Sequence, residues 1–306
     1  NRIMFAEAVT PRCVIGANYS QQNLFTVDPK TGDVTQSQGM IARTTGEPLC
    51  AVGAGGKGYL GVYTHALILA YDPKKPMEYG ANPYEIMDLS QHGQTAPYKA
   101  ATDGQLAYIA SSANRGQLGG VLAVIDPQTD QVDVYDPFLP EQNLRGLAYD
   151  LVTRLMWGGT DRWGMNRSHP PTQDTALIYA FDPESREVVD QLEPWPETDR
   201  MSVLGVSGQG IMVAASASEI ALIDTASREI LCMGESPVGV PGDVILGSDG
   251  ASYCLIRGAL YRWDLQANTL TPLATSPGCY HLTQSDPGTW IMANDKSIYR
   301  VDLQSD

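Results

Sequence analysis

The chain has 306 residues, 43% of them hydrophobic and 18% charged, with 30 Gly and 20 Pro. That is a globular, turn-rich composition, with no run near the roughly 18 apolar residues that a membrane-spanning helix requires. Twenty Lys and Arg against 35 Asp and Glu leave a net charge of −15, which repels phosphate backbones and argues against nucleic acid as a partner.

The N-terminal NRIMFAEAV lacks the basic start and long apolar core of a signal peptide. It also lacks an initiator methionine, as a processed or trimmed polypeptide would, so the compartment stays open. IMFAEAV reads as a strand. Further along, an apolar strand ending in an acid recurs as LFTVD (to Asp28), LILAYD (Asp72), LAVID (Asp126), IYAFD (Asp182), IALID (Asp224), LYRWD (Asp264) and IYRVD (Asp302). The spacings run from 38 to 56 residues, a period that fits a four-stranded propeller blade of about 40–50 residues. The expected architecture is therefore all-β: one seven-bladed β-propeller of four-stranded antiparallel blades over residues 1–306, with room to be part of a longer chain.

In DPKTGD, DPQTDQ and DPESRE the Asp can accept hydrogen bonds from turn amides, and Pro presets φ for position i+1 of a type I turn. The motif thus reads as the turn between the third and fourth strands of each blade. The seventh repeat stops at VDLQSD, ahead of any fourth strand. Either blade 7 has three strands or residues outside 1–306 supply the missing edge.

Turns joining strands 1–2 and 3–4 lie on one face of such a disc. Here they are short, apart from residues 73–83. The 2–3 and blade-to-blade loops lie on the other face and include long segments at 37–48, 111–120, 158–175 and 193–201. Long loops on a rigid scaffold carry binding or catalysis. His65, His92, His169 and His281 all map to that face.

Across blades 2–4 these loops hold Tyr63, Tyr98, Asn114, Arg115, Arg145, Arg162, Trp163 and Arg167 together with His65, His92 and His169. Four arginines there form a local cationic island, and their planar forks suit carboxylates. An acidic carbohydrate or another acidic small molecule is the expected ligand, with a protein partner as an alternative. The competing reading is that the arginines pair with Asp136, Glu141 or Asp161 and brace the loops. Trp157 and Trp263 lie in strands and read as core, whereas Trp163 and Trp195 lie in long loops and could stack on a sugar ring. Met165 and Met201 read as loop filler. The five cysteines show no metal spacing and read as buried free thiols. No HExxH, CxxC, GxSxG or P-loop occurs, so no metal or cofactor is expected. GAGGKGYLG lies at a 1–2 turn and reads as a hairpin.

The strand–Asp-Pro-turn signature resembles that of YVTN and quinoprotein-like propellers over almost the whole chain. GVYTHALILAYDPKKPMEYGANPYEI, AYIASSANRGQLGGVLAVIDP and WGGTDRWGMNRSHP resemble segments of bacterial carbohydrate-processing propellers, among which seven-bladed polysaccharide lyases are the nearest enzyme class. That resemblance implies β-elimination on a uronate-containing glycan. His65 or His169 would be the base, Tyr98 or Tyr63 the acid, and Arg115 with Arg162 or Arg167 the carboxylate clamp, with Arg145, Asn114, Trp163 and His92 contributing to substrate binding. Two other readings stand beside it. One is a non-catalytic propeller that binds a glycan, peptide or partner protein; the other is a metal-dependent lactonase or hydrolase drawing on Glu47, Asp161 and Asp243.

Overall fold

The computed structural model describes residues 2–19, 22–236, 239–276 and 278–303. Seven antiparallel sheets follow one another along the chain, each ordered from an inner first strand to an outer last one. All seven strand-ending acids fall at or just after a third strand, from Leu24–Val27 in blade 1 to Ile298–Asp302 in blade 7. The period seen in the sequence is thus the blade period.

Blade 7 has three strands among the described residues, His281–Asp286, Thr289–Ala293 and Ile298–Asp302. The N-terminal strand Ile3–Thr10 is the first strand of blade 1. Among the described residues the ring closes by packing of the inner strands of blades 1 and 7. The Ala8 amide donates to Thr283 Oγ1 at 3.2 Å, and the Ile3 amide donates to the Asp295 carbonyl at 3.0 Å.

Second and third strands are apolar on both faces because each blade is sandwiched between two others. Blades 2 and 3 share a core that includes Tyr59, Ile68, Ile109 and Ile125. Blades 4 and 5 bury Trp157, Met201 and Trp195 between them. Burying side chains of this size contributes about 1.5–3 kcal/mol each. Trp195 and Met201 are hence core residues, not a sugar platform and loop filler, because their loop folds back between two blades. Four cysteines are buried as expected, but Cys232 is exposed on the outer strand of blade 5. Near the axis the blades approach so closely that a Cβ at Gly205 would lie 2.0 Å from the Val244 carbonyl oxygen of the next blade.

The turns after the strand-ending acids behave as their chemistry dictates, with Pro after the acid or, at Asp224, with Thr225 in its place. Asp28 accepts from the Lys30 amide at 2.9 Å, Asp126 from Gln128 at 2.8 Å, Asp182 from Glu184 at 2.8 Å, and Asp224 from Ser227 at 2.7 Å. In the longer turn of blade 2, buried Asn82 fills the interior by bonding the Asp72 amide and the carbonyls of Asp72, Lys75 and Pro76.

Four residues after the acid the backbone turns left-handed, at Gly32, Asp130, Arg186, Arg228 and Asn268. This geometry aims that side chain at the preceding blade. Asp130 of blade 3 accepts from Lys57, Tyr59 and Tyr84 of blade 2 at 2.6–2.7 Å. Arg186 of blade 4 reaches Tyr135 and Asp133 of blade 3. Arg228 of blade 5 pairs with Asp190 of blade 4 and lies over the Trp157 ring at 4.9 Å. Asn268 of blade 6 reaches Cys232 of blade 5 at 3.7 Å. The recurrent turn is therefore a latch between blades as well as punctuation within one.

Candidate functional site

The two irregular loops expected to carry function do pack together. The Gly116 amide donates to Ser168 Oγ at 2.8 Å, and Gly164 lies so close to Gln117 that a Cβ there would sit 2.9 Å from its carbonyl oxygen. The Asn143 side chain ties the blades from below, accepting from the Ala113 amide and donating to the Trp163 carbonyl, both at 2.9 Å.

Two carboxylates organise the site. Asp161 ends the second strand of blade 4 and is 4% exposed. Its Oδ2 accepts from Arg145 Nη2 at 3.3 Å and from Arg200 Nε at 2.9 Å, while its Oδ1 accepts from the Trp163 amide at 2.9 Å. Asp199, in the loop between blades 4 and 5, accepts from Arg162 Nε and Trp163 Nε1, each at 2.9 Å, and pairs with Arg167. Partial burial alone would raise the Asp199 carboxyl; the bonds from Trp163, Arg162 and Arg167 outweigh it and hold the pKa below the ordinary value.

Each aromatic side chain carries a guanidinium on its face. Arg145 lies over Tyr98 at 3.7 Å, and Arg167 lies over Trp163 at 4.8 Å. Arg145 is aimed there by a break in the first strand of blade 4, between Asn143–Leu144 and Ala148–Tyr149, where its own amide still bonds the Gly159 carbonyl at 2.8 Å. Such a break redirects a side chain without giving up the sheet. Asn166 and Arg167, at the rim, both hold left-handed backbone, with φ of 55°, a conformation that non-glycine residues keep where the surroundings impose it.

These groups line an open cavity of about 960 Å³ across blades 3, 4 and 5. Of the residues expected from the sequence, Tyr98, Arg145, Trp163 and Arg167 line it, and Arg162 backs it through Asp199. The others lie elsewhere. His65 is 3.6 Å from Asp88, which also pairs with Arg43. The Tyr63 carbonyl accepts from Thr44 Oγ1 in the same part of blade 2. His92 bonds Asp136 at 2.9 Å beside a separate cavity of about 140 Å³. Asn114, Arg115 and His169 are exposed loop residues, and none of the three lines the larger cavity. His65, His92 and His169 therefore do not share a pocket.

The cationic island is largely neutralised as well. Three of its four arginines are paired, Arg145 with Asp161 and Arg162 and Arg167 with Asp199, and Arg200 joins them on Asp161. Asp161 is the partner named in the bracing reading; Asp199 and Arg200 were not singled out from the sequence. Their signal was the acid–base run TDR in a long interblade loop.

The axial channel forms a second cavity of about 580 Å³ with a mostly apolar lining. Lys99 of blade 3 pairs there with Asp243 of blade 6 across the ring. Glu7 lies nearby, and burial pushes its carboxyl up to about 7 against the opposing effects of the Gly53 amide and Lys99. Among the described residues, no three His, Cys, Asp or Glu side chains converge as a metal-ligand set.

No protein-family model and no curated protein sequence matches this chain. Solved structures match in shape. The chain is similar to the WD40 β-propeller domain of Doa1 at TM-score 0.68 and 10% identity, covering 99% of this chain and 93% of that one. It is similar to the hydrazine synthase of Kuenenia stuttgartiensis at TM-score 0.70 and 14% identity, covering 99% and 96%. It is also similar to the Dos1 propeller at TM-score 0.65 and 9% identity, covering 100% and 93%. Likeness at such identities establishes the seven-bladed propeller fold and nothing finer.

Proposed function

We propose that the protein is a non-catalytic binding propeller whose cavity across blades 3–5 holds an acidic segment of a partner protein. The observation that carries this reading is the pair of arginine–aromatic stacks, Arg145 on Tyr98 and Arg167 on Trp163, fixed in place by Asp161 and Asp199. Arg, Tyr and Trp are the residues that dominate protein interfaces, and preorganisation lowers the entropy lost on binding. A guanidinium already covers one face of each ring, which disfavours sugar stacking. Each exposed arginine retains donors beyond those given to its aspartate, and Arg167 and Arg200 remain 64% and 58% exposed. The lyase reading is weaker because His65 and His169, its candidate bases, do not line the cavity that holds Tyr98.

The test is titration of the protein into fluorophore-labelled Asp- and Glu-rich peptides, read by the anisotropy of the peptide and set against uronate oligosaccharides. Saturable peptide binding is expected, weakened by salt and about tenfold or more by Trp163→Ala or Arg200→Ala with the fold retained. Release of an unsaturated, ultraviolet-absorbing sugar from the oligosaccharides would overturn the proposal in favour of the lyase.

A further inference from the structure

The outer strand of blade 5, Ile230–Glu235, exposes Ile230, Leu231, Cys232 and Met233 in succession. It is the last strand of its sheet, and among the described residues it pairs with Glu219–Asp224 alone. Cys232–Glu235 runs in unbroken register with Glu219–Leu222, and the extra residue of a bulge falls at Leu231. Gly234 leaves the edge open to close approach, since a Cβ there would meet nothing within 4 Å.

An unpaired sheet edge is a template for another chain, and proteins protect such edges with charge, proline or brevity. The fourth strands of the other blades follow that rule. Val34–Gln36 of blade 1 has three residues. Blades 2, 3 and 4 place Glu85 and Asp88, Asp133, and Glu187 and Asp190 in theirs, and Thr269–Thr275 of blade 6 contains Pro272. Blades 2, 4 and 6 carry the same bulge, so it does not set blade 5 apart. ILCMG has neither charge nor proline. Acids close both of its ends. Glu229 precedes the strand, and Glu235 ends it directly opposite Glu219, a like-charged cross-strand pair that costs stability. Among the described residues none of these three acids joins an ion pair. Arg228, the cation at the start of the strand, is committed to Asp190, and Arg257 of the next blade pairs with no acid.

We propose that this edge receives an extended segment of a partner protein, apolar in its middle and carrying Lys or Arg at its ends, which adds along Cys232–Glu235 as a fifth strand of blade 5. Addition of a strand to an exposed edge is an established mode of peptide recognition. Main-chain hydrogen bonds supply affinity. Cations beside Glu229 and Glu235 supply the preference, and one of them offsets the repulsion between Glu235 and Glu219. A second copy fits less well, because it would bring two chains of net charge −15 together, each presenting the same acids. None of residues 229–235 lines the cavity across blades 3–5, so this edge is a separate surface and does not depend on what that cavity holds.

The test uses the protein in reducing buffer and a labelled peptide, Lys-Val-Thr-Val-Thr-Val-Lys, read by anisotropy and by hydrogen exchange over residues 230–235. Its controls are the same peptide with Glu at both ends and with Pro as its central residue. The Lys-ended peptide should bind saturably, protect that segment, weaken with salt, and bind about tenfold or more tighter than either control. Met233→Lys puts a charge on the edge and should weaken binding about tenfold or more. Glu229→Gln combined with Glu235→Gln should bring the Lys-ended and Glu-ended peptides within about threefold of each other. Both variants alter exposed side chains, and an unchanged melting curve shows that the fold is kept. Failure of the Lys-ended peptide to protect the segment, or equal binding of the Glu-ended one, overturns the proposal. So does slow exchange of the segment in the free protein at every concentration, which would mean that its own chain covers the edge. Protection that grows with protein concentration alongside a dimer would assign the edge to a second copy and overturns it too.

Discussion

The seam between blades 2 and 3 and the seam between blades 7 and 1 are built on one plan with different success. The first buries thirteen hydrophobic residues, among them Tyr59, Ile68 and Ile109, and is crossed by Asp130 bonding Lys57, Tyr59 and Tyr84. The second buries four, Ala6, Val14, Ile291 and Ala293, and its latch position is a glycine. A propeller stabilises itself blade against blade, so its weakest seam sets where the ring opens first.

Four measurements can break or sharpen this contrast. The largest effect is expected from Asp130→Ala, which leaves the buried Tyr59 hydroxyl and Lys57 without their acceptor; a loss of about 3 kcal/mol should appear in denaturant unfolding. The same carboxyl gives the contrast a pH signature. Partial burial would raise its pKa, but the bonds from Lys57, Tyr59 and Tyr84 prevail and hold it below the ordinary 3.8. Its stabilisation is therefore present above pH 3.8 and fades as pH falls below that value through the folded-state pKa. Asp130→Asn should flatten that acid limb in a series of melting curves. Arg228→Ala, at the seam of blades 4 and 5, removes the Asp190 pair and the cation over Trp157, for about 1–2 kcal/mol in thermal unfolding. The smallest effect belongs to Arg300→Ala at the weak seam. Its bonds go to the Pro29 carbonyl and to exposed Asp302, and less than about 1 kcal/mol should be lost. A loss there matching that of Asp130→Ala would dissolve the distinction between the seams.

The candidate site was legible in part, and the pattern of success has a physical cause. Loop length pointed to 111–120 and 158–175, and those loops do meet through Gly116 and Ser168. Trp163 and Arg167 line the cavity from a long loop, as the sequence suggested, whereas Tyr98 reaches it from the strand Gln94–Thr102 and Arg145 from the break in the first strand of blade 4. Asp199 and Arg200 were missed because their roles depend on how the blade 4–5 connection folds back onto blade 4. Trp195 was misplaced for the same reason: its neighbours in 193–201 look like a loop, yet the residue is 7% exposed within a core.

The sequence by itself determined the blades. Each repeat is a local unit whose alternating apolar strands and Asp-Pro turn specify a four-stranded sheet through contacts between near neighbours in the chain. Tertiary structure alone decided which side chains converge. The latch residues Asp130, Arg186 and Arg228 act across blades, and the cavity draws Tyr98, Asp161 and Asp199 from segments a hundred residues apart, measured from Tyr98 to Asp199. Those meetings depend on the tilt between blades, which is set by the packing of whole sheets and leaves no periodic mark in the chain.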